Sequence, residues 1–195
     1  MPQISTEEYE RLPLRAHAFL AGVPLHDVWA IDLPRMRSGI TLGEFLRAAG
    51  GPPFKPSRVV RALLRLRFFV GGLFGWDRER QPAVVGETFS TRLTSTDRSS
   101  SLAPAGMREG PFRLVYRFEN EQLLELVNRT VHAAALSALV ETATAYRFYF
   151  GVYVQNVGRF TPVYMTLIDP FRKLIVYPSL LRSVRATWEQ TFGTG

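Results

Sequence analysis

The chain has 195 residues, 46% hydrophobic and 21% charged, with no cysteine and a formal net charge of +7 at pH 7. That length suits one domain with a real core and is short for two, and the composition excludes wholesale disorder. Lack of cysteine excludes disulfides, thiolate catalysis, iron–sulfur clusters and cysteine-ligated zinc, and it fits a reducing, cytoplasmic setting.

Only Lys55 and Lys173 of the 24 basic residues are lysine. An arginine bias of this kind is read first as genomic, although guanidinium groups also suit phosphate sites. Net positive charge favours anionic surfaces or ligands and says nothing about fold.

Residues 1–25 read as an irregular N-terminal extension, with Glu7 and Glu8 early and no continuous apolar stretch of the signal-peptide kind. "HDVWAIDLP" (26–34) alternates loosely and ends at Pro34, which predicts a first strand. "TLGEFLRAAG" (41–50) predicts a short helix, capped by Thr41 with Glu44 three residues on and stopped by Gly50. "SRVVRALLRLRFFVGGLFGW" (57–76) predicts an amphipathic helix on which Arg58, Arg61 and Arg65 share a face away from Val59, Leu63, Leu66 and Val70. Such a basic face is more often simply solvated; the functional alternative is docking on an anionic membrane.

From about residue 83 the texture becomes β-branched and aromatic with period-2 stretches, predicting an antiparallel sheet with one face buried. Phe112, Leu114, Tyr116 and Phe118 are expected on one face, and Tyr146, Phe148, Phe150, Val152 and Val154 likewise. "HAAALSALV" has helical propensity but sits between strands, so it is read as a strand. "STDRSSSLAPAGMREG" (95–110) reads as a polar loop, expected to be the most mobile segment.

The last segment, 158–184, is amphipathic yet carries prolines at 162, 170 and 178. Thr161 and Pro162 suit a helix start. From Tyr164 through Phe171, Leu174, Leu181, Val184 and Trp188 one apolar stripe stays in phase past the later prolines, predicting a single helix kinked at Pro170 and Pro178. Asp169, Arg172 and Lys173 in its middle exclude a membrane span. A single domain is expected over 26–192, its sheet and final helix enclosing an apolar interior that is either packed or hollow.

This order of elements resembles the helix-grip fold of the START and polyketide-cyclase-like superfamily: α+β, with a curved antiparallel β-sheet wrapped around a long kinked C-terminal helix. The segments 58–76 and 158–184 are similar to two stretches of the bacterial domain-of-unknown-function family 2867. The family-like pattern falls here on Asn156, Gly158, Arg159, Tyr164, Pro170 and Phe171. Two positions depart from it: Arg172 stands where the pattern has His, and a His-Leu-Asp-Phe-like strand keeps only His132. The resemblance implies a fold and an apolar cavity, and no activity.

No complete catalytic signature is present. His17, His26 and His132 lie far apart without metal-ligand spacing, so no metal or cofactor is expected, and no nucleic-acid-binding pattern appears. His132 is a candidate general base, though a lone sheet histidine is more often structural; Asp169 is a second acid/base candidate, blandly paired with Arg172. The aromatic set Trp29, Tyr116, Tyr146, Phe148, Phe150, Tyr164 and Phe171 is more often plain core than cavity lining. As a lining it would bind a hydrophobic small molecule or lipid, with His132 or Arg159 orienting a polar end. The alternatives are a cyclase- or isomerase-like enzyme in the same cavity, and an interaction module with a filled core.

Overall fold

A computed structural model describes residues 3–50, 88–127, 131–155, 166 and 169–193. The arginine-bearing segment 57–76 with Arg58, Arg61 and Arg65, the Thr161–Pro162 helix start, and Arg159 and Tyr164 lie outside these residues.

Strands send successive side chains to opposite faces, and here both faces are apolar. β1 (Leu25–Pro34), β2 (Arg108–Glu109), β3 (Phe112–Arg117), β4 (Glu121–Val127), β5 (His132–Glu141) and β6 (Ala145–Gln155) form one antiparallel sheet. Their spatial order is β1-β6-β5-β4-β3-β2. Trp29, Ile31, Leu33, Tyr146, Phe148 and Val152 face α1 (Leu42–Ala48) and the C-terminal helix. Val28, Ala30, Leu123, Leu136, Tyr149 and Tyr153 face the chain's first residues and Phe89. The expected solvated face of the sheet is therefore covered: residues read as an irregular extension form two short helices, Thr6–Glu10 and Arg15–Phe19, which bury Tyr9, Ala16 and Phe19. The sheet is a middle layer. Gly151 suits this arrangement, since a Cβ there would meet the Tyr9 hydroxyl at 3.0 Å.

The strands appear where the period-2 reading puts them, including the alanine-rich β5, and Thr41 caps α1 by accepting from the Glu44 N–H at 3.0 Å. Two readings fail. The stretch around Phe89 forms a 3-10 turn (Phe89–Arg92), and the polar loop opens with a helix, α2 (Ser95–Ser100). Thr94 and Asp97 make a reciprocal capping box there, and Arg15 clasps Asp97 through two bonds of 3.1 Å. Polar composition concealed a helix because its polar residues are the caps.

The C-terminal helix is described over residues 169–192, opening one residue before Pro170 and continuing through Pro178. Pro178 has no N–H for the Leu174 carbonyl. The backbone widens into a π turn (Arg172–Val176), in which the Tyr177 N–H reaches back five residues to the Arg172 carbonyl. α3 (Tyr177–Phe192) follows. The extra residue rotates everything before it by about 100° relative to everything after. Leu181, Val184 and Trp188 are buried, as the stripe predicts, and Tyr177, which lies outside the stripe, is buried with them, whereas Phe171 and Leu174 are 49% and 77% exposed. The stripe is thus broken at the π turn. Trp188 fixes the far end by donating from Nε1 to the Pro34 carbonyl at 2.9 Å.

Candidate functional site

Polar side chains converge where β1 begins and the C-terminal helix begins. The pairing of β1 with β6 slips between Leu25, opposite Tyr153, and Asp27, opposite Val152. The slip leaves His26 as the extra residue, and a bulge re-aims side chains. His26 Nε2 then lies 2.9 Å from Asp169 Oδ1 and 3.0 Å from Oδ2. Arg172 donates from Nη1 to Asp169 Oδ1 at 3.0 Å and pairs through Nη2 with Asp27 Oδ2 at 3.5 Å. Arg172 also donates to the Tyr177 hydroxyl, and Lys173 Nζ lies 3.7 Å from Asp169.

Below this network the packing is aromatic core: the Tyr177 ring lies 5.5 Å from Trp29 and 5.7 Å from Phe150, centroid to centroid, with Trp29 and Tyr177 both buried. The Asp27 side chain is 0% exposed. Burial pushes its carboxyl above the ordinary aspartate range, against the opposing pull of Arg172 and His26. Burial likewise pushes the Tyr177 phenol well up, opposed by Arg172. Two of the five side-chain atoms that are buried without a hydrogen-bond partner among the described residues lie here, Asp27 Oδ1 and Trp29 Nε1. Such groups are uncommon and call for a reason. One atom accepts, the other donates, and both belong to side chains on the same face of one strand, two residues apart.

His26 Nε2 and carboxylate oxygens of Asp27 and Asp169 lie within 4.8 Å of one another, a donor set suited to a divalent cation. Arg172 contacts both carboxylates and Lys173 contacts one. The positive charge that a metal would bring is already supplied by the chain.

The candidate residues are divided between the two faces of the sheet. Trp29, Tyr146, Phe148 and Phe150 lie on the C-terminal-helix face. Of these, Tyr146 and Phe148 are sealed in core, with Tyr146 accepting from the Ile40 N–H and donating to the Arg37 carbonyl. Tyr116 lies on the opposite face: an irregularity between Leu114 and Tyr116 breaks the expected alternation of β3, and the phenol donates to Glu121 at 2.8 Å. Phe171 is half exposed rather than turned inward.

His132 also belongs to the opposite face, with the acidic partner that the sequence did not disclose. Its Nε2 lies 2.7 Å from Glu125 Oε1, which also accepts from the Phe89 N–H at 2.7 Å. The imidazole stacks on Phe89 at 4.2 Å and is 2% exposed. That is a structural role, tying the turn at Phe89 to the sheet.

The model of a protein family described as "Protein of unknown function (DUF2867)" matches residues 19–179. The chain belongs to the DUF2867 family. Searches of characterised proteins and of solved structures found no match. The DUF2867 match contains every member of the cluster, from His26 to Tyr177. Sequence reasoning singled out Trp29, Phe150 and Asp169 there, and missed Asp27 and Tyr177 as well as the role of His26. It read Arg172 as the loss of a family-like histidine and as a partner for Asp169; in the structure Arg172 pairs with Asp169 and also with Asp27. The usable signal was the pairing of "HD" at a strand start with "DPFRK" at a helix head.

Proposed function

We propose that the protein binds a predominantly apolar small molecule or lipid at the head of the C-terminal helix. The apolar body would rest on Trp29, Phe150 and Tyr177, and the polar end would meet the His26, Asp27, Asp169 and Arg172 network. One observation carries this reading: the acceptor Asp27 Oδ1 and the donor Trp29 Nε1 stand buried and unpartnered beside the Trp29–Tyr177 ring contact. Access is favoured by the π turn, a helix segment short of ordinary α bonds and of a kind frequent at functional sites. The half-exposed Phe171 and the exposed Leu174 on that turn would close over an apolar guest. The reading places the chain among helix-grip carriers of the START-like kind and in the cytoplasm.

The test is native mass spectrometry of the purified protein, with organic extraction of whatever accompanies it. A co-purifying apolar molecule near one per chain is expected. A clean apo mass, with no thermal shift across lipids and polyketides, would overturn the proposal in favour of a filled-core interaction module.

A second reading has its own support. The raised Asp27 carboxyl beside a His26–Asp169 pair is a proton-transfer arrangement of the kind used by cyclases and isomerases.

A further inference from the structure

The net charge of +7 suggests an anionic guest, but the cluster itself argues otherwise. Among the described residues its fixed charges balance: Asp27 and Asp169 face Arg172 and Lys173. Arg172 is already engaged with Asp169, Asp27 and Tyr177, and Lys173 with Asp169. The unsatisfied pair, by contrast, is one carboxylate oxygen and one indole N–H. When ionised, the first accepts only, and the second donates only.

A carboxylate or phosphate end would satisfy Trp29 Nε1 and then set its charge against Asp27, whose side chain is 0% exposed. An ammonium would satisfy Asp27 and leave the indole N–H without an acceptor, while adding a third cation beside Arg172 and Lys173. A group that is neutral, donates one hydrogen bond and accepts another satisfies both atoms and leaves the charge balance alone. The two side chains sit two residues apart on one strand, about 6.6 Å along its axis. A hydroxyl can serve both where the side chains lean together, and a primary carboxamide, with its donor and acceptor on different atoms, spans a wider gap.

Resting on the binding site proposed above, we infer that its ligands are apolar molecules ending in a neutral donor–acceptor group, an alcohol or a carboxamide, held between Asp27 Oδ1 and Trp29 Nε1. Fatty acids and phospholipid phosphates are then poor ligands of this site despite the basic chain.

Calorimetric titration of the full chain with decan-1-ol, decanamide and sodium decanoate near neutral pH tests this. Either neutral compound should bind at least about tenfold tighter than decanoate, the factor that one unmatched polar contact commands. Asp27→Asn should bring that ratio to one or below, because an asparagine amide can donate to a carboxylate. Trp29→Phe keeps the ring and removes the N–H; it should weaken the neutral compounds by about fivefold to tenfold, and it serves where Asp27→Asn does not fold. Decanoate binding as tightly as decan-1-ol and decanamide would overturn the inference while leaving an apolar site in place. Binding of none of the three would overturn the site itself.

Discussion

His26 Nε2 sits 2.9 and 3.0 Å from the two oxygens of Asp169, across 143 residues of sequence. This contact ties the first strand to the head of the last helix. Both side chains are partly exposed, so the pair is screened, and its coupling should be modest, about 0.5–1 kcal/mol. A double-mutant cycle of His26→Gln and Asp169→Asn, read by urea unfolding, should return that value. Strict additivity would mean that the two residues are neighbours without energetic coupling, and among the described polar contacts the tie from β1 to the helix head would then run through Asp27 and Arg172.

A second long-range tie predicts the acid limb of stability. The Arg15 fork, helped by the Thr94 bonds, holds the Asp97 carboxyl at about 2, below its ordinary 3.8. A carboxyl lowered in the folded state contributes stability that is present above its unfolded value and lost as pH falls through the folded one. For Asp97 that window runs from 3.8 down to about 2. After allowance for screening, roughly 1 kcal/mol is at stake. Asp27 works the other way: its carboxyl is raised by burial, so its contribution is present at low pH and declines as pH rises above the ordinary aspartate value. Urea midpoints measured across the acid range should therefore fall less steeply for Asp97→Asn than for the parent chain. Asp27→Asn should relieve the decline on the rising side.

Glu125 gives a sharper test of a buried polar group. One oxygen, Oε1, serves both His132 and the Phe89 N–H, each at 2.7 Å. Glu125→Gln retains an acceptor and should cost about 1 kcal/mol. Glu125→Leu leaves two buried donors without a partner and should cost about 2–4 kcal/mol, since unmade buried hydrogen bonds are penalised in full. Thermal or urea unfolding of the two variants separates these outcomes. Equal losses would show that the pocket at Phe89 admits water in place of the carboxylate.

The strands were legible because their periodicity is a local property. β1 and β6 could be read from alternation and β5 from its place between strands, and the helix past Pro178 was expected from a stripe that holds only beyond the π turn. Features that depend on one extra residue were not legible. The slip at His26, the irregularity at Tyr116 and the π turn before Tyr177 each change which way a side chain points without altering composition. Each therefore moved a side chain: His26 and Asp27, not candidates in the sequence, into the cluster, and the candidates Tyr116 to the far face and Phe171 out toward solvent. Partners such as Glu125 for His132 were hidden for a simpler reason. They are brought together by strand pairing, in which Val127 stands opposite His132 and Glu125 lies one step further along the same face.

The charge balance at the helix head carries a prediction about metals. His26, Asp27 and Asp169 offer donors within 4.8 Å of one another, and Arg172 bridges the two carboxylates. The parent chain should show no thermal shift with zinc or manganese, because a dication would meet Arg172 and Lys173 at close range. Arg172→Ala removes the bridging guanidinium and leaves the buried Asp27 carboxyl without its nearest cation. That variant should start less stable by about 3–5 kcal/mol, as when one partner of a buried pair is removed. Zinc should then recover several degrees of the loss, because oxygen and imidazole donors suit it and its charge replaces the one deleted. A chelator should reverse the gain. Should the parent chain itself respond to zinc as strongly as Arg172→Ala does, the guanidinium is not the cation this cluster is built around, and the neutral-ligand assignment, which assumes a balanced site, falls with it.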